Sequence, residues 1–128
     1  MQIEILAVCD RVNRMNMDKL SLMGITDAIL VKGQLPTFHQ NAWFVAKVRF
    51  ALGEGTAHTY QIELSNPDGH ILVSKTDKLP SQRFYEEGDT LGILTLDLVG
   101  FPIESKGRYS IKFRVDNSPF YELPIHVV

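Results

Sequence analysis

The clearest pattern in the chain is a strict alternation of apolar and polar side chains over residues 107–115. Its apolar members are Tyr109, Ile111, Phe113 and Val115. A period of two places alternate side chains on opposite faces of a strand, so one face is buried and the other is solvated. Asn117-Ser118-Pro119 has the composition of a turn, and a second alternating run follows. The two runs predict a hairpin whose apolar face must be covered by a second sheet or a helix.

The same alternation recurs upstream and predicts further strands. They fall at residues 2–9, 42–52, 57–65, 70–74 and 90–100. Asn66-Pro67-Asp68-Gly69 has the sequence of a type I turn followed by a left-handed glycine. Residues 10–19 are polar and predict a loop or a short turn of helix, whereas Gly24 predicts a bulge, a bend, or two short strands that meet at a corner. In residues 2–9 the period of two predicts that Ile3, Ile5, Ala7 and Cys9 share a face.

Seven or eight short strands and no amphipathic helix indicate an all-β fold. The economical arrangement is one domain over residues 1–128, with two packed antiparallel sheets. The chain has 128 residues, a common size for a single domain, and its 45% hydrophobic content is typical of a globular rather than a disordered protein.

Charge and cysteine content exclude several classes of partner and location. The formal net charge of −2 gives no general attraction for nucleic acid or anionic lipid. Cys9 is the single cysteine, so no intramolecular disulfide forms. No apolar run approaches the roughly 20 residues of a membrane helix, and the first residues lack the basic start of a signal peptide. We therefore expect a cytoplasmic protein with no nucleic-acid or membrane partner.

Two resemblances extend this picture. Gly107-Arg108-Tyr109 resembles the tyrosine corner of immunoglobulin-like sandwiches, which implies that the Tyr109 hydroxyl bonds to the backbone near Glu104 or Ser105. Residues 3–10, 19–27 and 66–69, together with the closing hairpin, resemble a family of small uncharacterised bacterial proteins. That resemblance implies an immunoglobulin-like, two-sheet antiparallel β-sandwich, and it carries no catalytic residue or cofactor.

The residues that could support chemistry do not form a recognisable constellation. The histidines are His39, His58, His70 and His126. Their predicted positions do not converge on a metal, and His58 is predicted to face the core with a hydrogen-bond partner. Cys9 fits a small buried hydrophobe better than a nucleophile. No Asp-x-Asp cluster predicts calcium, and no nucleophile or phosphate-loop motif is present. We expect no metal, no cofactor and no enzymatic activity.

Two sets of surface residues are candidates for binding. Trp43 and Val45 lie on the predicted outer face of a strand, and Phe120 is out of phase with the inward set of its own strand, so these three form a candidate interface. The outward cations of two strands would form a basic patch if those strands were neighbours. These cations are Lys47, Arg49, Lys112 and Arg114. The alternative for them is an ordinary solvated face.

The hypothesis that follows is a non-enzymatic interaction module. It would bind a protein partner, or a second copy of itself, through an outer sheet face or an edge strand. The competing hypothesis is a ligand-binding sandwich for a sugar or an anionic molecule, which would use Trp43, Tyr85 or the cationic face.

Overall fold

The computed structural model describes residues 1–15, 19–38, 42–83, 88–98 and 100–128, and in this part the fold is all-β as predicted. The strands are β1 (Gln2–Cys9), β2 (Arg11–Arg14), β3 (Leu20–Met23), β4 (Ala28–Ile29), β5 (Thr37–Phe38), β6 (Trp43–Phe50), β7 (Thr59–Ser65), β8 (Ile71–Lys78), β9 (Ser81–Arg83), β10 (Thr90–Asp97), β11 (Pro102–Ile103), β12 (Gly107–Val115) and β13 (Tyr121–Val127). A single 3-10 turn spans Leu52–Glu54. No helix in the described ranges is long and apolar enough to cross a bilayer.

Two sheets form a sandwich-like arrangement. The four-stranded sheet has the order β1-β6-β10-β9, and the five-stranded sheet has the order β4-β13-β12-β7-β8. Adjacent strands within each sheet are antiparallel, except for β4, which runs parallel to β13. Two small sheets, β2-β3 and β5-β11, complete the described strands.

The core lies between the two sheets and follows the alternation of the sequence. Phe44 on β6 and Phe113 on β12 bring their ring centroids to 5.4 Å across the interface between the sheets. Ile111 and Val48, on the same two strands, are also fully buried. Burial of each such side chain stabilises the fold by roughly 1.5–3 kcal/mol relative to exposure, so the inward faces of β6 and β12 are the main source of stability.

The predicted tyrosine corner is confirmed. The Tyr109 hydroxyl donates a hydrogen bond of 2.9 Å to the carbonyl of Ser105. The ring is fully buried, and its centroid lies 6.4 Å from that of Phe101. This bond satisfies the one polar atom of a large core side chain and ties the start of β12 to the preceding loop.

A β-bulge in β1 contradicts the predicted facing of its first residues. The register shifts between Ile3 and Ile5, so Ile3 lies opposite Val48 and Ile5 lies opposite Lys47. Ile3 packs against the core, whereas Ile5 and Ala7 stay on the outer face. The extra residue, Glu4, interrupts the period of two because a bulge sets two residues against one.

The predicted bend at Gly24 is confirmed, and it redirects the chain between two sheets. Gly24 has a φ of +70°, a conformation that favours glycine, and it separates β3 from β4. Beyond the bend, the N–H of Thr26 donates 2.9 Å to the carbonyl of Val8 at the edge of β1. The segment then joins the five-stranded sheet as β4.

Candidate functional site

A two-stranded hairpin follows β1 directly and forms a separate sheet. β2 pairs antiparallel with β3, from Arg11 opposite Met23 to Arg14 opposite Leu20. The N–H of Met15 donates 2.7 Å to the carbonyl of Lys19, which continues the same register towards the tip. The predicted loop or short helical turn over residues 10–19 is therefore wrong at β2, which pairs with β3 across the hairpin.

Register divides this hairpin into two faces, because residues opposite each other point to the same side and neighbours alternate. One face, hereafter the hairpin face, consists of Arg11, Asn13, Met15, Lys19, Ser21 and Met23. All of these are exposed except Ser21, which is half-buried. The opposite face carries Val12, Leu20 and Leu22, all half-buried, together with the exposed Arg14, and β2 contacts β6. The hairpin is thus amphipathic, and the hairpin face is the one exposed to solvent.

The hairpin face combines exposed thioethers with exposed cations. The Met15 and Met23 side chains are 50% and 55% exposed. Arg11 and Lys19 form no ion pair within the described ranges, and the described residues of this face include no acidic side chain. Methionine is flexible and polarizable, which suits it to apolar contact surfaces that must adapt to a partner.

The segment after the hairpin has two more exposed apolar side chains. Ile25 is 65% exposed and Leu30 is 66% exposed. Together with Met15 and Met23 they account for four of the ten exposed large apolar side chains in the described part of the chain, so exposed apolar surface is concentrated between Met15 and Leu30. Such concentrations mark contact sites more often than isolated exposed side chains do.

A groove of about 130 Å³ beside this segment is lined by Cys9, Thr26 and Leu30, among others. Cys9 is fully buried, and its Sγ donates 3.3 Å to the carbonyl of Arg11. Burial raises the pKa of the thiol, and the negative charge of the nearby Asp10 also raises it. The hydrogen bond to the Arg11 backbone lowers the pKa but does not cancel these two effects. The prediction that Cys9 is a buried small hydrophobe is confirmed by its complete burial.

The predicted interface of Trp43, Val45 and Phe120 is not one surface. Val45 is 0% exposed, so its predicted exposure is wrong. The reason is that β6 is an inner strand, with Ala7 and Thr95 beside Val45 on the neighbouring strands. Trp43 is half-buried on β6, whereas exposed Phe120 precedes β13 in the other sheet. The indole and the phenyl ring therefore belong to separate sheets.

Phe120 instead covers a neighbouring cation. The Arg114 guanidinium carbon lies 4.5 Å from the centroid of the Phe120 ring, a cation–π geometry. The Nε of Arg114 also donates 3.0 Å to the side-chain oxygen of Gln61. Arg114 is thus held by neighbours in its own sheet.

The predicted basic patch is also wrong, because β6 and β12 lie in different sheets. Lys47 and Arg49 on β6 share Glu4, at 3.5 Å and 3.3 Å, and Arg49 also pairs with Asp89 at 3.3 Å. Hydrogen bonds to Glu4 and Asp89 raise the pKa of Arg49. Lys112 on β12 lies between two acidic residues.

Those two neighbours of Lys112 are Glu63 on β7 and Glu122 on β13. Opposite charges that face each other across a sheet attract at close range and leave little field for a distant anion. The alternative, an ordinary solvated face, describes these cations better.

Two strands of the five-stranded sheet, β8 and β13, carry features that discourage pairing with another chain. On β8, Lys75 and Asp77 lie opposite the core residues Ile62 and Tyr60, which places charges on the inward side of an edge strand. On β13, Pro124 lacks an N–H, and β4 covers only the last two residues. Inward charges and proline are recognised protections of sheet edges. The edges at β8 and β13 are therefore poor sites for pairing with a strand of another chain.

His58 is buried with a partner, as predicted. Its Nδ1 lies 2.7 Å from Oδ2 of Asp116, its Nε2 lies 3.2 Å from the carbonyl of Gly55, and its ring stacks on Phe50 at 3.6 Å. Burial alone would raise the pKa of Asp116, but hydrogen bonds from the Thr59 N–H and from His58 outweigh it and lower the pKa. Both ring nitrogens are occupied, so this pair has a structural role.

A groove of about 370 Å³ lies beside this pair and is lined by Thr56, Lys78 and Ser81, among others. In the described part of the chain no group of three or more His, Cys, Asp or Glu side chains could hold a metal ion. Tyr85 and His39 lie outside the described residues. The polar groups of this groove that are best placed for a ligand, on His58 and Asp116, are already bonded to each other.

Sequence reasoning missed the hairpin face, although one signal was available. Three of the four methionines, Met15, Met17 and Met23, fall within nine residues of a polar stretch. A cluster of flexible apolar side chains among polar ones indicates a contact surface rather than a core. Met17 itself lies outside the described residues.

Comparisons with known proteins identify a family without a known activity. Neither a curated protein nor a solved structure matches the chain. A family match covers residues 4–128, which is nearly the whole chain. The chain therefore belongs to DUF6941, a family of unknown function.

Proposed function

We propose that the protein is a non-enzymatic interaction module that binds another protein through the hairpin face. The observation that carries this proposal is the exposure of Met15 and Met23 on one side of a two-stranded hairpin whose other side has half-buried apolar side chains. Water-exposed apolar surface contributes nothing to folding, whereas its burial against a partner is favourable.

The surroundings of the hairpin support the same function. Ile25 and Leu30, close to the hairpin in sequence, are also exposed, and β8 and β13 carry inward charges or proline that discourage strand pairing. The buried His58 has both nitrogens bonded, so its ring has no free nitrogen to act as the base of a nucleophile. Binding without catalysis is the simplest function for such a surface.

The proposal includes an immunoglobulin-like arrangement in a bacterial, cytoplasmic protein. The Tyr109–Ser105 hydrogen bond and the two stacked sheets support the immunoglobulin-like part. The single cysteine, Cys9, supports a reducing compartment.

The test uses peptides selected from a random display library on the wild-type protein. Each selected peptide is then measured against the Met15→Glu/Met23→Glu variant and against Ile71→Glu, a matched control because Ile71 is exposed on the distant β8. We expect unchanged binding to the control and at least about tenfold weaker binding to the double variant, since a carboxylate would be buried without a partner. Equal binding to all three proteins would refute the hairpin face as the contact site.

A competing function is the binding of a sugar or an anionic molecule, for which the groove beside His58 is the available location. Its volume of about 370 Å³ falls in the range of small-molecule sites, which is roughly 300–1,000 Å³. A thermal-shift screen with sugars and small anions tests it, because a bound ligand raises the melting temperature. A shift that Lys78→Ala or Ser81→Ala abolishes would support this function.

A further inference from the structure

We infer that the segment bound by the hairpin face carries acidic side chains beside apolar ones. This inference rests on the proposed function and specifies its partner by chemistry. It follows from the placement of two cations, Arg11 and Lys19, relative to the two exposed methionines.

The register places one cation beside one methionine at each end of the hairpin. Arg11 lies opposite Met23 at the base, and Lys19 is bonded through its backbone to Met15 near the tip. At a rise of roughly 3.3 Å per residue, Arg11 and Met15 are about 13 Å apart along β2. Each apolar contact point is therefore next to a positive charge, with the neutral Asn13 and Ser21 between the two ends.

These cations are available to a partner, in contrast to those elsewhere on the surface. Lys47 and Arg49 share Glu4, and Arg108 approaches Glu122 at 3.6 Å. Within the described ranges, Arg11 and Lys19 have no such ion pair.

The nearest acidic residue in sequence to Arg11 is Asp10, whose carboxylate lies against the backbone of Gly24 instead. A partner that covers Met15 and Met23 would partly desolvate the neighbouring cations. Their charge would be left uncompensated unless that partner supplied carboxylates.

The spacing restricts the form of the bound segment. Carboxylates about 13 Å apart are separated by roughly four residues in a strand or nine in a helix, from the rise of each structure. Apolar side chains between them would meet the methionines, which adapt to different shapes. An acidic, amphipathic segment fits the hairpin face in either form.

The experiment compares the peptides selected on the wild-type protein with those selected on the Arg11→Glu/Lys19→Glu variant. We expect Asp and Glu to be enriched next to apolar residues on the wild-type protein, and Lys and Arg to be enriched on the variant. For single peptides, Arg11→Gln and Lys19→Gln should each weaken binding about 1.5- to 5-fold, the range of exposed ion pairs. Binding should also weaken between about 0.05 M and about 0.5 M salt, as screening increases.

The outcomes separate this inference from the proposed function. Peptides that require Met15 and Met23 but show no acidic enrichment and no salt dependence would overturn the inference and leave the proposed function standing. Peptides that bind the Met15→Glu/Met23→Glu variant equally well would overturn both.

Two further experiments test whether the hairpin face binds a membrane surface or a second copy of the chain instead. Binding of phosphatidylserine vesicles that depends on Arg11 and Lys19, without selected acidic peptides, would overturn the inference in favour of a membrane surface. A dimer by light scattering that the methionine variant converts to a monomer would assign the hairpin face to a second copy instead. Circular dichroism and urea unfolding confirm that each variant is folded, which we expect because all four side chains are exposed.

Discussion

The Nδ1 of His58 lies 2.7 Å from Oδ2 of Asp116, across 58 residues of sequence. Asp116 has a φ of +52°, in the left-handed region, and its other oxygen accepts from the Thr59 N–H at 3.0 Å. The same carboxylate therefore fixes a buried ring and an otherwise unpaired amide at one end of β7. This side chain joins the turn after β12 to the start of β7, beside a backbone hydrogen bond of 2.8 Å from the Asp116 N–H to the Thr59 carbonyl.

The first prediction concerns removal of this carboxylate. Asp116→Ala should destabilise the protein by about 1–3 kcal/mol, because it leaves the buried Nδ1 of His58 and the Thr59 N–H without their partner. Asp116→Asn should cost less, since asparagine tolerates the left-handed conformation and its carbonyl can still accept from Thr59. Urea unfolding measures both variants. A smaller loss for alanine than for asparagine would contradict this account.

The second prediction is a dependence of stability on acid pH. The folded protein lowers the pKa of Asp116, so the unfolded state binds the proton more tightly and stability rises with pH. This contribution is present above roughly pH 4, the ordinary value for aspartate, and is lost as pH falls through the lowered folded value. The free energy of unfolding, measured by chemical denaturation across this pH range, should change less with pH for Asp116→Asn than for the wild type. An identical pH dependence for the two proteins would mean that the Asp116 carboxylate does not contribute to the loss of stability in acid.

The third prediction tests the tyrosine corner. Tyr109→Phe removes the hydroxyl that donates to Ser105 and should lower the free energy of unfolding by about 0.5–1.5 kcal/mol, the usual net value of one hydrogen bond. Tyr121→Phe is the matched control, because Tyr121 is exposed on β13, and it should leave stability unchanged. Equal effects of the two substitutions would argue against a stabilising role for the corner.

The fourth prediction concerns a close approach in the core. A Cβ at Gly92 would lie 2.6 Å from Cδ2 of Leu79, so Gly92→Ala should cost about 1–3 kcal/mol through overpacking. Gly53→Ala is the control, since a Cβ there meets nothing within 4 Å. In a Leu79→Ala background, Gly92→Ala should cost less, because the clashing side chain has been removed. A double-mutant cycle by urea unfolding decides whether the two sites are coupled.

Much of the fold could be predicted because alternation along one strand is a local property. The inward set of β12, the inward position of His58 and the bend at Gly24 all follow from the residues themselves and their immediate neighbours. The Tyr109–Ser105 bond spans four residues and was likewise within reach of sequence reasoning.

The candidate site, in contrast, depended on pairing between distant parts of the chain. The alternation of apolar and polar residues predicts which side of its strand Lys47 or Lys112 occupies, but it does not predict which sheet each strand joins. Val45 is buried beside its neighbours on the two adjacent strands, which the sequence does not identify. The bulge at Glu4 likewise depends on the register in which β1 pairs with β6.

The sequence by itself determined an all-β chain, the inward faces of its longer strands and the local turn chemistry. Only the tertiary structure decided that the cations of β6 and β12 belong to separate sheets, and that β2 and β3 pair into an exposed hairpin face. The physical reason is that side-chain direction along a strand is set by backbone geometry within a few residues. Strand partners, in contrast, are chosen by burial and hydrogen bonding across the whole chain.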